Sequence, residues 1–124
     1  MSLSGDINGE VALVSYNTNL VVATVLAVKT TPGNVYGYHV INNAATACYL
    51  QIFNAASGSV TLGTTIPNIS IGVGGAAATV AQTAALMSAI PMHNFSTAIS
   101  IAGTTTQRGS TGCGTGLDVN IFYK

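Results

Sequence analysis

The feature that most constrains this fold is an alternation of period two along residues 117–123. On an extended backbone, four apolar side chains of this segment point to one side: Leu117, Val119, Ile121 and Tyr123. The opposite side carries Asp118, Asn120 and Phe122. The alternation predicts a strand with one face in the core and one mostly polar face, and helical periodicity is almost absent elsewhere.

Further segments rich in β-branched residues lie between clusters of Gly, Asn, Ser and Pro. Strands are predicted at residues 10–16, 20–28, 35–41, 47–53, 59–62, 69–73 and 97–102. Only residues 80–90, before Pro91, are expected to form a short helical turn. Residues 103–116 hold five glycines and are predicted to form a long loop. Together these segments predict an all-β antiparallel sandwich, jelly-roll-like, of about eight strands.

A polar connection, residues 42–46, separates two of these strands and predicts a β-hairpin. The register that gathers apolar side chains pairs Tyr36 with Ile52, Tyr38 with Leu50, and Val40 with Cys48. The second face of this hairpin would hold Val35, His39, Ile41, Ala47, Tyr49 and Phe53. Because that face is too apolar for a solvent-facing surface, we expect another protein surface to cover part of it.

Charged residues make up only 5% of the 124 residues, against roughly 25% in an ordinary soluble domain. The formal net charge is zero, so copies of the chain repel one another little, which favours oligomerisation. The basic side chains are Lys29, Arg108 and Lys124. These are too few to neutralise a nucleic-acid backbone, so no nucleic acid is expected as a partner.

The length fits a single domain. Within it, residues 1–27 are predicted to form an N-terminal arm or the first strands, and residues 28–124 the sandwich core. The start of the chain lacks the basic and apolar stretches of a signal peptide, which predicts synthesis in the cytoplasm. The longest apolar run, residues 20–28, is too short for a membrane-spanning helix, so no membrane insertion is expected.

The sequence offers few groups for chemistry. The imidazoles, His39 and His93, have no acidic neighbour in sequence, and no Gly-x-Ser-x-Gly motif is present. With Cys48 and Cys113 they match zinc-ligand types, but without the close paired spacing of a zinc site. The glycines of residues 112–116 precede a strand, whereas a dinucleotide loop opens a helix. We therefore predict a protein that is not an enzyme and has no metal or cofactor.

Two cysteines allow one disulfide. A chain made in the cytosol keeps its thiols reduced, however, so Cys48 and Cys113 are expected to be two small buried or half-buried side chains.

Several segments resemble those of small bacteriophage and prophage virion-associated proteins. They are Val28-Lys29, Val35-Tyr36-Gly37-Tyr38, Ile41-Asn42-Asn43-Ala44, Tyr49-Leu50-Gln51-Ile52-Phe53-Asn54, Val60-Thr61-Leu62-Gly63-Thr64-Thr65-Ile66-Pro67, Ala98-Ile99-Ser100-Ile101 and Gly116-Leu117-Asp118-Val119-Asn120-Ile121-Phe122-Tyr123. The resemblance covers approximately residues 28–124. It implies a β-sandwich subunit on the head or tail of a phage particle, with no catalytic residues.

The expected function is therefore that of a virion structural or decoration protein. It would assemble as a homo-oligomer, a trimer, docked to capsid or tail proteins. The predicted contact residues are His39, Tyr49, Phe53 and the loop around Arg108. The alternative is a carbohydrate-binding or host-recognition module on the same sandwich.

Overall fold

The computed structural model describes residues 13–77, 80–114 and 116–124. Nine strands lie in this part of the chain: β1 Val14–Leu20, β2 Leu26–Lys29, β3 Gly33–Asn42, β4 Cys48–Phe53, β5 Ile69–Val73, β6 Gln82–Met87, β7 His93–Phe95, β8 Ile99–Thr104 and β9 Leu117–Tyr123. A short 3₁₀ helix spans Ser57–Ser59. The first part of the predicted arm, and of the strand predicted from residue 10, falls outside the described residues.

The strands form two antiparallel sheets. The five-stranded sheet has the order β1-β9-β3-β6, and β7 pairs with the start of β3. The four-stranded sheet has the order β2-β8-β4-β5. The predicted all-β antiparallel sandwich is thus confirmed, with nine strands in place of about eight.

The core lies between the two sheets, and β9 supplies its centre. Leu117, Val119 and Ile121 are fully buried, as the alternation predicts. From the other sheet, Gly103 of β8 faces them, and a Cβ atom there would lie 3.1 Å from the Cβ of Leu20. The absence of a side chain at this position therefore lets the two sheets approach closely.

The predicted hairpin is wrong, although both of its strands exist. Tyr38 of β3 pairs with Leu86 and Ile121, in the five-stranded sheet. Leu50 of β4 pairs with Ile71 and Gly103, in the four-stranded sheet. The connection between β3 and β4 therefore crosses from one sheet to the other, and the two strands bury their apolar faces in one core from opposite sides.

Asn42 holds this crossing connection in place. Its side chain is fully buried, and its amide nitrogen donates to the carbonyl oxygens of Thr46, Val73 and Gly74 at 2.9, 3.2 and 3.0 Å. Its Oδ1 accepts from the backbone N–H of Ala44 at 2.8 Å. The Asn42 side chain therefore bonds to backbone groups of the connection and of the neighbouring chain, in place of the backbone hydrogen bonds of a hairpin.

Two other segments also differ from the prediction. Residues 59–62 hold the end of the 3₁₀ helix and turns in place of a strand. Within residues 80–90, where a helical turn is predicted, the chain forms β6 and pairs with Gly37–Asn42 of β3. Ala, Leu and Met favour a helix locally, and the pairing with β3 overrides that preference.

Candidate functional site

The outer side of the five-stranded sheet, which we name the open face, is the more accessible of the two outer sheet faces in the described part of the chain. From the register and burial of its strands, this face carries Ser15, Asn17 and Asn19 of β1, Gly37, His39 and Ile41 of β3, Thr83, Ala85 and Met87 of β6, and Asp118, Asn120 and Phe122 of β9. Asp118 is the single charged residue in this set. The open face is therefore almost uncharged.

Amide side chains organise the polar half of the open face. The Asn17 amide donates to Asn120 Oδ1 at 3.0 Å and to the carbonyl oxygen of Val119 at 3.2 Å. Asp118 accepts from the Asn19 amide at one oxygen and from the Asn43 amide, at 3.1 Å, at the other. Both carboxylate oxygens thus have donors within the chain, which offsets part of the cost of removing this charge from water.

Next to this polar half lies an apolar groove of about 590 Å³. It is lined by Tyr38, His39, Ala85, Leu86, Met87, Asn120 and Phe122. Met87 lies across Gly37, since a Cβ atom at Gly37 would overlap the Met87 sulfur. Leu86 and Met87 point to opposite sides of β6, and both are exposed, 47% and 57%, because β6 is an edge strand. We name this apolar edge beside the groove the β6 ridge.

The outer side of the four-stranded sheet, which we name the covered face, is closed by the chain itself. Ser100 is fully buried and donates to the Ala55 carbonyl oxygen at 2.7 Å. Ser70 donates to the Gln107 carbonyl oxygen at 3.1 Å. The chain that follows β4 and the loop between β8 and β9 therefore lie across this sheet. The loop begins at Thr105, two residues after its predicted start, because Gly103 and Thr104 belong to β8.

Gln51 of β4 ties the loop to the covered face. Its side chain is fully buried, and its amide nitrogen donates to Thr104 Oγ1 at 2.6 Å and to the Gly109 carbonyl oxygen at 3.1 Å. The Thr104 hydroxyl donates in turn to the Thr106 carbonyl oxygen at 2.8 Å. The path of the loop is thus fixed by hydrogen bonds to buried side chains.

Gln51→Leu is expected to lower the free energy of unfolding by about 1–3 kcal/mol, because buried hydrogen-bonding groups of the loop lose their partner. Urea denaturation followed by circular dichroism measures the loss, and hydrogen exchange should quicken at the Thr105 amide, which donates to the Thr111 carbonyl oxygen. Gln107→Leu is the matched control, since Gln107 is exposed. Equal stability of the two variants would contradict this role of Gln51.

Cys48 and Cys113 are joined in a disulfide, with their Cα atoms 6.0 Å apart. Both residues are buried, as expected, but the expectation that they stay reduced is not what the structure shows. Because 65 residues separate them, their spacing gives no local signal of pairing. The bond fastens the loop between β8 and β9 to the start of β4.

The predicted contact residues are divided between the two sides of the sandwich. His39 lies in the groove of the open face. Tyr49 is half-buried on the covered face, where a Cβ atom at Gly72 would lie 2.9 Å from its ring. Phe53 is 1% exposed and lies inside the fold, whereas Arg108 is exposed in the loop. The shared hairpin face that grouped His39 with Tyr49 and Phe53 does not exist.

Other candidate groups are dispersed. The His93 ring packs edge-on against the Phe95 ring at 4.7 Å. Within residues 13–77, 80–114 and 116–124, no three His, Cys, Asp or Glu side chains come together as metal ligands. The described part of the chain has no helix of the length and hydropathy needed to cross a membrane.

These features define the class of the protein as a two-sheet antiparallel β-sandwich with one open and one covered outer face. No family model, no curated protein and no solved structure matches the chain. The function is therefore argued from the surfaces of the molecule alone.

Proposed function

We propose that this protein is a non-enzymatic structural or decoration subunit of a bacteriophage virion, which assembles as a homo-oligomer. The observation that carries the proposal is the open face, an almost uncharged sheet surface with an apolar groove. Apolar surface of this kind on a stable sandwich favours a protein contact. The proposed state is a trimer, docked to capsid or tail proteins.

The order of the strands supports this proposal. When the short β7 is left out, the remaining eight strands can be counted in chain order. The two sheets then have the orders first-eighth-third-sixth and second-seventh-fourth-fifth. Two interleaved Greek keys give this order, and jelly rolls of that kind are common in viral capsid domains. Because one fold hosts many functions, the order supports a jelly-roll-like virion subunit without excluding other roles.

The second proposed contact surface is the loop between β8 and β9. It lies on the covered face, on the opposite side of the sandwich from the groove, and it exposes Arg108. One side of the subunit can therefore contact its own copies while the other contacts a capsid or tail protein. Such a division needs no cofactor, because the contacts are made by packing and hydrogen bonds alone.

The purified protein is expected to elute as an assembly of 12.5 kDa subunits at micromolar concentration, with the mass of a trimer. Size-exclusion chromatography with light scattering measures this mass directly. A monomer at every concentration tested would contradict the proposed oligomer.

A carbohydrate-binding or host-recognition module is the second candidate. The observation that favours it is the Phe122 ring beside His39 and Asn120 in the groove. Sugars stack on aromatic rings, and their hydroxyl groups donate hydrogen bonds to amides and accept them from amides. A glycan array tests it. Saturable binding of one glycan that is lost in Phe122→Ser would favour this candidate.

A further inference from the structure

We infer that a second copy of this chain covers the open face, with the β6 ridge of one copy seated in the groove of the next. This inference rests on the proposed function, because it names the surface through which the homo-oligomer forms. It follows from the accessibility of the two sheet faces, the placement of charge, the nature of the sheet edges and the shape of the open face.

The two outer sheet faces differ in accessibility. On the covered face, Phe53, Ser100 and Thr104 are at most 1% exposed because the chain's own loops lie over them. On the open face, Ala85 and Met87 are exposed beside the groove. Among residues 13–77, 80–114 and 116–124, the open face is therefore the sheet surface on which apolar area is left for a partner.

The open face carries little charge. Two identical surfaces that meet repel each other wherever they carry unpaired like charges. Among the residues that line the groove, none is an acid, a lysine or an arginine. Asp118, at the margin of the open face, already accepts from Asn19 and Asn43. A second copy can therefore cover the groove without burying a charge, while Asp118 keeps its two amide donors at the margin.

The edges of the two sheets differ in how they are protected against association. Edge strands of soluble proteins carry charges, prolines or bulges that prevent association. In the four-stranded sheet, β2 has a register shift and Lys29, and Pro67 shortly precedes β5. The edge strands of the five-stranded sheet, β1 and β6, pair regularly with β9 and β3 over their whole length and carry no charge or proline. An edge without these protections is a surface for a neighbour.

The open face and its edge have shapes that can fit together between copies. The open face carries a groove, and the β6 ridge bounds that groove at the sheet edge, with Met87 on the open face and Leu86 on the inner side of the sheet. One copy can place its ridge in the groove of the next, which is a head-to-tail contact. Contacts of this kind close into a ring when the rotation between copies is suitable, in agreement with a trimer.

The test compares two alanines, each replaced by lysine. Ala85→Lys puts a charge in the groove, and Ala56→Lys puts the same charge at an exposed position next to the 3₁₀ helix. We expect Ala85→Lys to raise the dissociation constant of the oligomer roughly 100-fold, because an unpaired charge would be buried. Ala56→Lys should assemble like the natural chain in light scattering over a dilution series.

A second measurement does not depend on a variant. The methyl NMR signal of Met87 should shift when the natural protein is diluted until the oligomer dissociates. Met92 packs against the core and serves as the internal reference, so its signal should stay in place. The variant Met87→Leu assigns the signal.

The outcomes separate the two proposals. An oligomer that persists in Ala85→Lys, or a Met87 signal that does not change while the oligomer dissociates, overturns the open face as the interface and leaves the oligomeric subunit standing. A natural chain that is monomeric throughout overturns both. Equal weakening by Ala85→Lys and Ala56→Lys shows an effect of charge in general and also overturns the inference.

Discussion

Replacing both cysteines by alanine is expected to lower the free energy of unfolding by about 4 kcal/mol. This magnitude follows from the sequence separation of 65 between Cys48 and Cys113, because a disulfide restricts the unfolded chain more as the closed loop grows. The bond also holds the loop between β8 and β9 against β4. Its loss should therefore loosen the covered face before the rest of the sandwich.

Urea denaturation in the presence and absence of a thiol reductant measures this contribution. The natural chain should lose stability when the reductant is added, and the double variant Cys48→Ala, Cys113→Ala should not respond to it. The double variant thus controls for effects of the reductant elsewhere. Identical midpoints for the natural chain with and without reductant, after the thiols are shown to be free, would contradict the prediction.

Phe53→Ala is expected to lower the free energy of unfolding by about 3–5 kcal/mol, because the ring is 1% exposed within a single chain. The sequence predicts Phe53 as a contact residue of an oligomer. A contact residue would weaken assembly and leave the subunit stable, whereas a buried ring stabilises the subunit itself. The two interpretations therefore differ in which measurement changes.

Thermal and urea unfolding at a concentration low enough to dissociate the oligomer separate these effects. Tyr49→Ala is the matched control, since Tyr49 lies on the same face of β4 and is half-buried, and its loss should be smaller. A Phe53→Ala chain as stable as the natural one, with weaker assembly, would restore Phe53 to an interface.

Much of the fold is predictable because its strands alternate. The segment 69–73 is a strand with the predicted bounds, and β9 buries Leu117, Val119 and Ile121 as predicted. The pairing of strands is not local information. β3 and β4 are close in sequence and both apolar, and the same pattern suits a hairpin or two strands that face each other across a core. The buried amide of Asn42 stabilises the crossing connection, and only the structure shows its partners.

The candidate site is predictable only in part. The outward position of Phe122 follows from the sequence pattern. The surroundings of His39 do not, because the pattern predicts Tyr49 and Phe53 beside it and the structure places it beside Ala85, Asn120 and Phe122. The ridge of Leu86 and Met87 does not follow from the pattern either, because its residues favour a helix locally and become a strand through pairing with β3. The disulfide is not predictable either, because absence of a signal peptide predicts reduced thiols and no spacing links the two cysteines.

The position of β9 bears on when the protein can fold. β9 lies between β1 and β3, and Val14, near the start of the described chain, pairs with Tyr123, near its end. On the ribosome, β1 therefore waits for its partner until residues 117–123 have emerged. Contacts between such distant residues fold slowly. The five-stranded sheet, and with it the open face, is expected to form only after β9 has been made, so that no chain without β9 can present a finished surface to a neighbour.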